Sequence, residues 1–317
     1  MIVDELQAQD ISEVSSIFHR ILFAVDFSPA SHRALYAGMS FAGRDAKVAL
    51  LHVITADWRY EMLEHPPELS LEEADAKEQL QNWADHFGAT RTIEQILVKG
   101  EHVAKEIATL ADNSKADLLV MGTHGRAGLK KLALGSIAEE VLRIAPCPVI
   151  TIGPNVKATE PEEHLALHTI LFATDFGYGS AKALPLVFDL AKQNSSRLIV
   201  LHFLPPMPAT SSLSAYAPAT AGADELRTWQ STARSRSLRQ LKSWLPKVEE
   251  LQHEPECIVG TEFLPEGLLT AANQHAADLI VMGANRRGSA RMAAHIPWTT
   301  IHEVVRQAPC PVLTVAE

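Results

Sequence analysis

The residues of this chain best arranged for chemistry are Gly122-Thr123-His124-Gly125 and, after nine intervening residues, Gly135-Ser136. They fall between an apolar run, Ala116-Asp117-Leu118-Leu119-Val120-Met121, and a helix-like segment from Ile137 to Arg143. A short apolar run ending in Gly reads as a buried parallel strand that must stop and turn. Gly122 and Gly125 remove side chains where the backbone needs unusual dihedrals or close approach to a ligand. Gly135-Ser136 opens a helix, and Ser136 with Glu139 has the capping-box spacing. A glycine loop leading into the unpaired N–H groups of a helix N-terminus makes a phosphate site. The same pattern also reads as a strand, a glycine turn and a capped helix with no ligand. Arg126, Lys130 and Lys131 lie in the loop, placed either to neutralise phosphate oxygens or simply to be solvated.

The elements that must position this loop alternate in type. Ile21 to Phe27 is a short buried strand, and Ser28-Pro29 supplies an N-cap and first-turn proline for a helix over about 29–42. Val48 to Ile54 is a second strand, Ser70 to Phe87 an amphipathic helix, and Thr92 to Val98 a third strand. Gly100 to Ala111 reads as helix, Asp117 to Met121 as the fourth strand and Pro148 to Ile152 as the fifth. This alternation predicts a doubly wound α/β domain with a parallel sheet.

The second half repeats the first. Ile170 to Phe176 echoes Ile21 to Phe27, and Leu198 to Phe203 echoes the second strand, both at an offset of about 150. Asp278 to Gly283 echoes Asp117 to Gly122, and Ala308-Pro309-Cys310-Pro311-Val312 echoes Ala145 to Val149, at about 162. The growth in offset places an insertion between the second and fourth strands, carried by Pro205 to Gly222. The chain therefore divides into domains at 1–154 and 165–317 with a linker at 155–164.

Composition narrows the function. The 317 residues carry a net charge of −10 and 47% hydrophobic residues, as an ordinary soluble protein does. That charge argues against a general nucleic-acid or anionic-membrane surface. No apolar stretch is long enough to span a membrane, and Met1 to Leu6 lacks the pattern of a signal peptide. The three cysteines fit neither a disulfide framework nor a zinc site, and the His residues show no metal spacing, so the expectation is no metal ligand set and a cytoplasmic location. Cys147 and Cys310 read as small buried hydrophobes. His52 and His202 read as structural histidines.

These blocks together resemble the universal stress protein family in its tandem form, over nearly the whole chain from about Phe18 onward. In that family's nucleotide-binding branch the loop reads G-x-x-G, nine residues, G-[ST], which Gly122, Gly125, Gly135 and Ser136 reproduce. The resemblance implies two tandem Rossmann-like domains related to the adenine nucleotide alpha hydrolases. It implies ATP as the ligand, with Asp26 meeting the nucleoside and Ala24 and Val25 lining the adenine pocket. Val53 maps to an adenine contact, and Met121, Ile137 and Ala138 to further contacts, with Arg126 in the loop. Asp26 has a second reading as a helix cap, a job for which Ser28 is better placed. The family's last strands pair across a pseudo-two-fold, here within one chain, and whole chains can pair again as a homodimer. The Pro-Cys-Pro-Val strands are candidate sheet edges.

The second loop departs from the motif. Arg286 stands in the second glycine's place and Trp298 where Gly135 would be, so one ATP site per chain is expected, in the first half. Arg286, Arg287 and Arg291 form either another anion site or a solvated basic loop. No Walker loop or kinase pattern is present, and no catalytic residue is assigned. The leading reading is an ATP-holding regulatory module for stress, with slow hydrolysis at most and an unidentified protein partner. The alternatives are an ATPase or phosphotransferase acting on a ligand of the second domain, and an association module. Whether Mg2+ accompanies the nucleotide stays open.

Overall fold

A computed structural model describes residues 17–55, 67–88, 91–123, 134–156, 165–204, 223–246, 251–284 and 298–316. The first half runs β1 (Phe18–Ala24), α1 (Pro29–Met39), β2 (Ala42–Thr55), α2 (Pro67–Phe87), β3 (Ile93–Gly100), α3 (Val103–Asn113), β4 (Leu118–Gly122), α4 (Ser136–Ile144) and β5 (Val149–Ile152). The second runs β6 (Thr169–Ala173), α5 (Tyr178–Gln193), β7 (Arg197–Phe203), α6 (Ala223–Trp244), β8 (Glu256–Gly260), α7 (Glu266–Gln274), β9 (Leu279–Ala284), α8 (Trp298–Gln307) and β10 (Val312–Ala316).

All ten strands form one sheet in the order β3-β2-β1-β4-β5-β10-β9-β6-β7-β8. Every neighbouring pair is parallel except β5 with β10, which is antiparallel. Strands buried on both faces need apolar residues at every position, which explains runs such as Ile21-Leu22-Phe23 without alternation. α1 is capped by Ser28, whose Oγ accepts from Ser31 N at 3.2 Å, and Pro29 follows in the first turn. α3 buries Ala104, Ile107 and Ala111, and α4 buries Ala138, Val141 and Leu142, each a single helical stripe.

The helices divide between the two faces. α1, α2, α5 and α6 share one apolar layer, which contains Ala34, Leu80, Ala183 and Leu241. α3, α4, α7 and α8 share the other, with Ile107, Val141, Leu268 and Val304. Each layer runs across both halves of the chain without interruption.

Two expectations are corrected here, the start of β2 and the burial of Cys147. The Pro-Cys-Pro-Val strands are the edges of their own five-stranded halves, and the two edges pair within the chain, as the resemblance implied, to become the centre of the sheet. The prolines stay outside the ladder: Pro148 and Pro311 precede β5 and β10 and offer only their carbonyls, to Leu119 N and Ile280 N. β2 starts at Ala42 rather than near Val48, since a register shift between Phe18 and Arg20 lets its first residues run beside β1. The insertion expected at Pro205 to Gly222 lies outside the described residues. Cys310 is buried among apolar neighbours, which push its thiol up to about 12, while Cys147 and Cys257 are half-buried.

At the seam Ile150 sits opposite Leu313, and both are fully buried. Leu313→Ala should therefore cost about 2–5 kcal/mol. Chemical denaturation should show that loss in a single transition, because the two halves share both apolar layers. A biphasic curve with only one phase shifted would mean the halves unfold independently.

Candidate functional site

In the first half the chain leaves β1 toward β2 on one side, and leaves β4 toward β5 on the other. The carboxyl ends of β1 and β4 therefore frame the point where the sheet order reverses, the place where open α/β sheets hold ligands. Ala24 and Met121 are cross-strand partners there. Ala24, Val53, Met121 and Ala138 all belong to the apolar layer under α3 and α4. Val25 does not, because successive strand residues point to opposite faces, and its side chain packs in the layer under α1 and α2. Only the backbone of Val25 is placed for the α4 side. Its N–H donates to Leu51 O at 2.9 Å and its carbonyl accepts from His52 Nδ1 at 2.7 Å.

Asp26 organises the turn that follows. It accepts from Ser28 N at 3.0 Å and from the Ser31 hydroxyl, which it meets at very short range. Ser31 Oγ in turn accepts from Asp26 N at 3.1 Å. Phe27 then takes a left-handed conformation, φ 62°, which is costly for a bulky side chain. Its ring is held against His52, at 4.5 Å between centroids, and edge-on to Trp83 at 5.4 Å. The His52 proton must sit on Nδ1 to serve the Val25 carbonyl, so the ring's tautomer is fixed by the turn. Both expected structural histidines thus have a task, since His202 Nδ1 meets Thr174 O at 2.9 Å in the second half.

That second half rebuilds the whole turn. Asp175 accepts from Ser180 Oγ and Gly177 N, both at 2.7 Å, and Phe176 has φ 59°. Phe176 packs on His202 at 4.5 Å and on Trp244 at 5.6 Å. A serine five residues after the aspartate in both halves was the sequence signal for this bond, and sequence reasoning passed over Ser31 and Ser180.

The glycine loop begins and ends at a closed neck. Thr123 N donates to Ile152 O at 3.1 Å, and Gly135 N donates to Thr123 O at 2.9 Å. A Cβ at Gly135 would lie 2.9 Å from that same Thr123 oxygen, so a side chain there would force the neck open. Gly122 is required for a different reason than expected. No described glycine has a positive φ, and a Cβ on Gly122 would meet the Ala30 carbonyl carbon at 2.9 Å. Its bareness lets α1 pack on the end of β4. Gly125 and Arg126, with Lys130 and Lys131, lie outside the described residues.

The capping-box expectation is also corrected. Gly135 is the N-cap, in extended conformation, and Ser136 is the first helical residue, so its hydroxyl does not cap the turn. Glu139 N closes the first helical bond onto Gly135 O at 2.9 Å. The N–H groups of Ser136, Ile137 and Ala138 precede any intrahelical acceptor, as at every helix start. Ser136 is exposed, and Ile137 is 42% exposed although it is a large apolar residue. Glu139, the one acid of this first turn, is turned to Arg143 at 3.1 Å, which neutralises it.

Arg143 and Glu139 also face the other half. The Arg143 guanidinium lies 5.3 Å from the centroid of the Trp298 ring, and His302 Nε2 is 3.5 Å from Glu139 Oε1. Burial lowers the His302 pKa, with Glu139 opposing and Arg143 adding to the shift. Trp298, which replaces Gly135 at the start of α8, thus spends its indole on the seam. Arg286, Arg287 and Arg291 of that loop lie outside the described residues. Among those described, no cluster of His, Cys, Asp and Glu suits a metal ion, and no helix is long and apolar enough to cross a membrane.

Comparison with known proteins places this geometry. The profile of the universal stress protein family matches twice, over residues 17–153 and 166–316. A universal stress protein of Methanocaldococcus jannaschii is 31% identical over 147 residues, covering 43% of this chain and 83% of that protein. One from Mycobacterium tuberculosis is 26% identical over 193 residues, covering 58% of this chain and 63% of the relative's length. Among solved structures, a universal stress protein from Archaeoglobus fulgidus superposes with a TM-score of 0.61 at 19% identity, over 96% of this chain and 99% of that one.

The histidine of the second turn sets a pH dependence. Burial lowers the pKa of His202 below the ordinary 6.5, and the Thr174 carbonyl and Asp175 offset this only in part. Below about pH 6.5 the unfolded chain binds a proton that the folded chain refuses, so stability falls as pH drops through that value. His32 and His302 act in the same direction. Replacing His202 with Asn, which can still donate to the carbonyl, should flatten the plot of unfolding free energy against pH between about 7 and 5. An unchanged slope would show that His202 titrates normally in the fold.

Proposed function

Since the chain belongs to the universal stress protein family, we propose that its first half, residues 1–154, binds one molecule of ATP and that the protein works as a nucleotide-dependent regulatory module in the cytoplasm. The observation that carries this reading is the neck between Thr123 and Gly135, which delivers the glycine loop onto the open first turn of α4 at the switch point of β1 and β4. The residues fit the ligand. Ala24, Val53, Met121 and Ala138 offer small or apolar surface for a base on the α4 side, and Val25 offers backbone. The bare N-cap Gly135 and the N–H groups of Ser136 and Ile137 suit phosphate oxygens, and the helix dipole adds to them. Arg126 supplies a loop cation. Glu139 is kept from repelling the phosphates by its pairing with Arg143.

Asp26 has a double task in this reading. Its bonds to Ser28 and Ser31 hold the turn, and the same carboxylate would meet a ribose bound beside β1. The same turn persists in the second half, residues 165–317, without the glycine loop, so the turn alone does not make a nucleotide site. There Trp298 is the first residue of α8, and in this reading that half holds no second ATP site. Bound ATP would order the loop between 122 and 136 and change the surface offered to a protein partner, with or without Mg2+. Turnover is slow at most.

Gly122→Val is a poor control, because its side chain collides with Ala30 whether or not a ligand binds. Ser136→Asp is better: an acid in the first helical turn favours the helix and opposes a phosphate. Calorimetric titration of nucleotide-stripped protein should give one ATP site per chain. Ser136→Asp should weaken it at least about tenfold, roughly 1.4 kcal/mol, with no loss of thermal stability, while Thr299→Asp should leave it unchanged. No binding by the stripped protein would overturn the reading, and two sites would overturn the assignment to one half.

A further inference from the structure

The duplication makes α2 and α6 equivalent helices, and their outer faces have opposite charge. Their alignment is fixed by packing: Trp83 and Trp244 meet Phe27 and Phe176 in the same edge-on geometry, and Leu80 and Leu241, three residues before each Trp, are both fully buried. In this alignment Glu73 corresponds to Arg234, Asp75 to Arg236 and Glu78 to Arg239. Three acids of one half are three arginines in the other.

The outward residues carry this contrast. On α2, Glu72, Asp75, Glu78 and Asp85 are exposed. On α6, Arg234, Arg236, Arg239 and Lys242 are exposed, and no carboxylate lies between Arg227 and Pro246. Leu80 and Leu241 point inward, and at 100° per residue Asp75 and Glu78, like Arg236 and Arg239, fall on the side away from them. Asp75 accepts from Gln79 at 2.7 Å, a neutral donor that leaves its charge uncompensated. Among the described residues, Glu78, Arg236, Arg239 and Lys242 form no ion pair. Glu73 differs: Lys77 and Lys99 hold it at about 2, so it belongs to its own helix and strand.

The two faces cannot satisfy each other within one chain. α2 packs on β2 and β3, and α6 on β7 and β8, at opposite ends of the ten-stranded sheet. Both lie in the same apolar layer, so both present their charges on the same side of the molecule. We propose that the occupant of each face is the other face of a second copy: α2 of one chain docks on α6 of its partner. Any two-fold that makes this contact makes it twice, α2 on α6 and α6 on α2, so the interface is isologous and closed. Pairing like helices would set carboxylates against carboxylates and arginines against arginines, which the charges forbid. Exposed ion pairs are individually weak and screened by salt, so the dimer is reversible and sensitive to ionic strength. This inference rests on α2 and α6 alone and does not depend on nucleotide binding.

Sedimentation velocity of the full chain tests it. The protein should be dimeric at an ionic strength of about 0.01 M and monomeric near about 1 M, where the screening length falls from about 30 to about 3 Å. The variant Arg236→Glu with Arg239→Glu makes both faces acidic, and Asp75→Arg with Glu78→Arg makes both basic. Each alone should be monomeric at low salt, and an equimolar mixture of the two should dimerise, which misfolding of either would prevent. A wild-type monomer at low salt overturns the proposal, as does a dimer indifferent to either variant. Association lost only on reversing α6, or retention of monomer on heparin through α6, would instead assign that face to an anionic polymer.

Discussion

The structure depends on the antiparallel pairing of β5 with β10. Each half is a five-stranded parallel sheet whose last strand would be an exposed edge, with unpaired backbone groups and, here, fully apolar side chains such as Ile150 and Leu313. Joining the two edges removes both at once. It converts two sheets into one and fuses the apolar layers on each face across the chain. It also brings α4 against α8, since these helices follow the strands that flank the seam. The contact of Glu139 with His302 is a consequence: the two occupy equivalent positions in the repeat and meet near the local two-fold.

Duplication followed by divergence separates what the fold needs from what one half needs. The turn after the first strand survives in both halves down to the left-handed Phe, the His that donates to a carbonyl, the Trp that covers the ring and the Asp–Ser bond. A feature kept in a half that has lost the glycine loop is explained by folding. The strained φ of Phe27 and Phe176 is sustained by packing each half-buried ring between two aromatic neighbours. Gly135 has not survived in both halves. Its counterpart is Trp298, whose indole serves the seam, so the absence of a side chain at that position is a property of the first half only.

Much of the fold was legible because the sequence carries it redundantly. Apolar runs of strand length, helix stripes between them and a repeat of four blocks each point to tandem α/β domains. The elements that frame the candidate site were legible but their local geometry was not, and the reasons are physical. Gly122 could be recognised as necessary, yet nothing local distinguishes close approach of Ala30 from close approach of a ligand. Ser136 and Glu139 have capping-box spacing, but Glu139 pairs with Arg143 one turn on, and Gly135 takes the cap in extended conformation. The face of Val25 follows from strand alternation once Ala24 is assigned to the α4 side. The seam was legible only through family resemblance, because Pro-Cys-Pro-Val says that a strand tolerates an edge and not what covers it.

The position of α4 ties these points together. Its first turn follows directly on Gly135, the end of the glycine motif, and the same short helix carries Glu139 and Arg143, which touch α8 across the seam. A helix of nine residues buried along Ala138, Val141 and Leu142 moves as one body, because close-packed layers do not deform locally at low cost. Its first turn and its contact with Trp298 and His302 therefore belong to one rigid element. In a chain whose second half keeps the turn but not the glycine motif, this helix joins Gly135 directly to the other half.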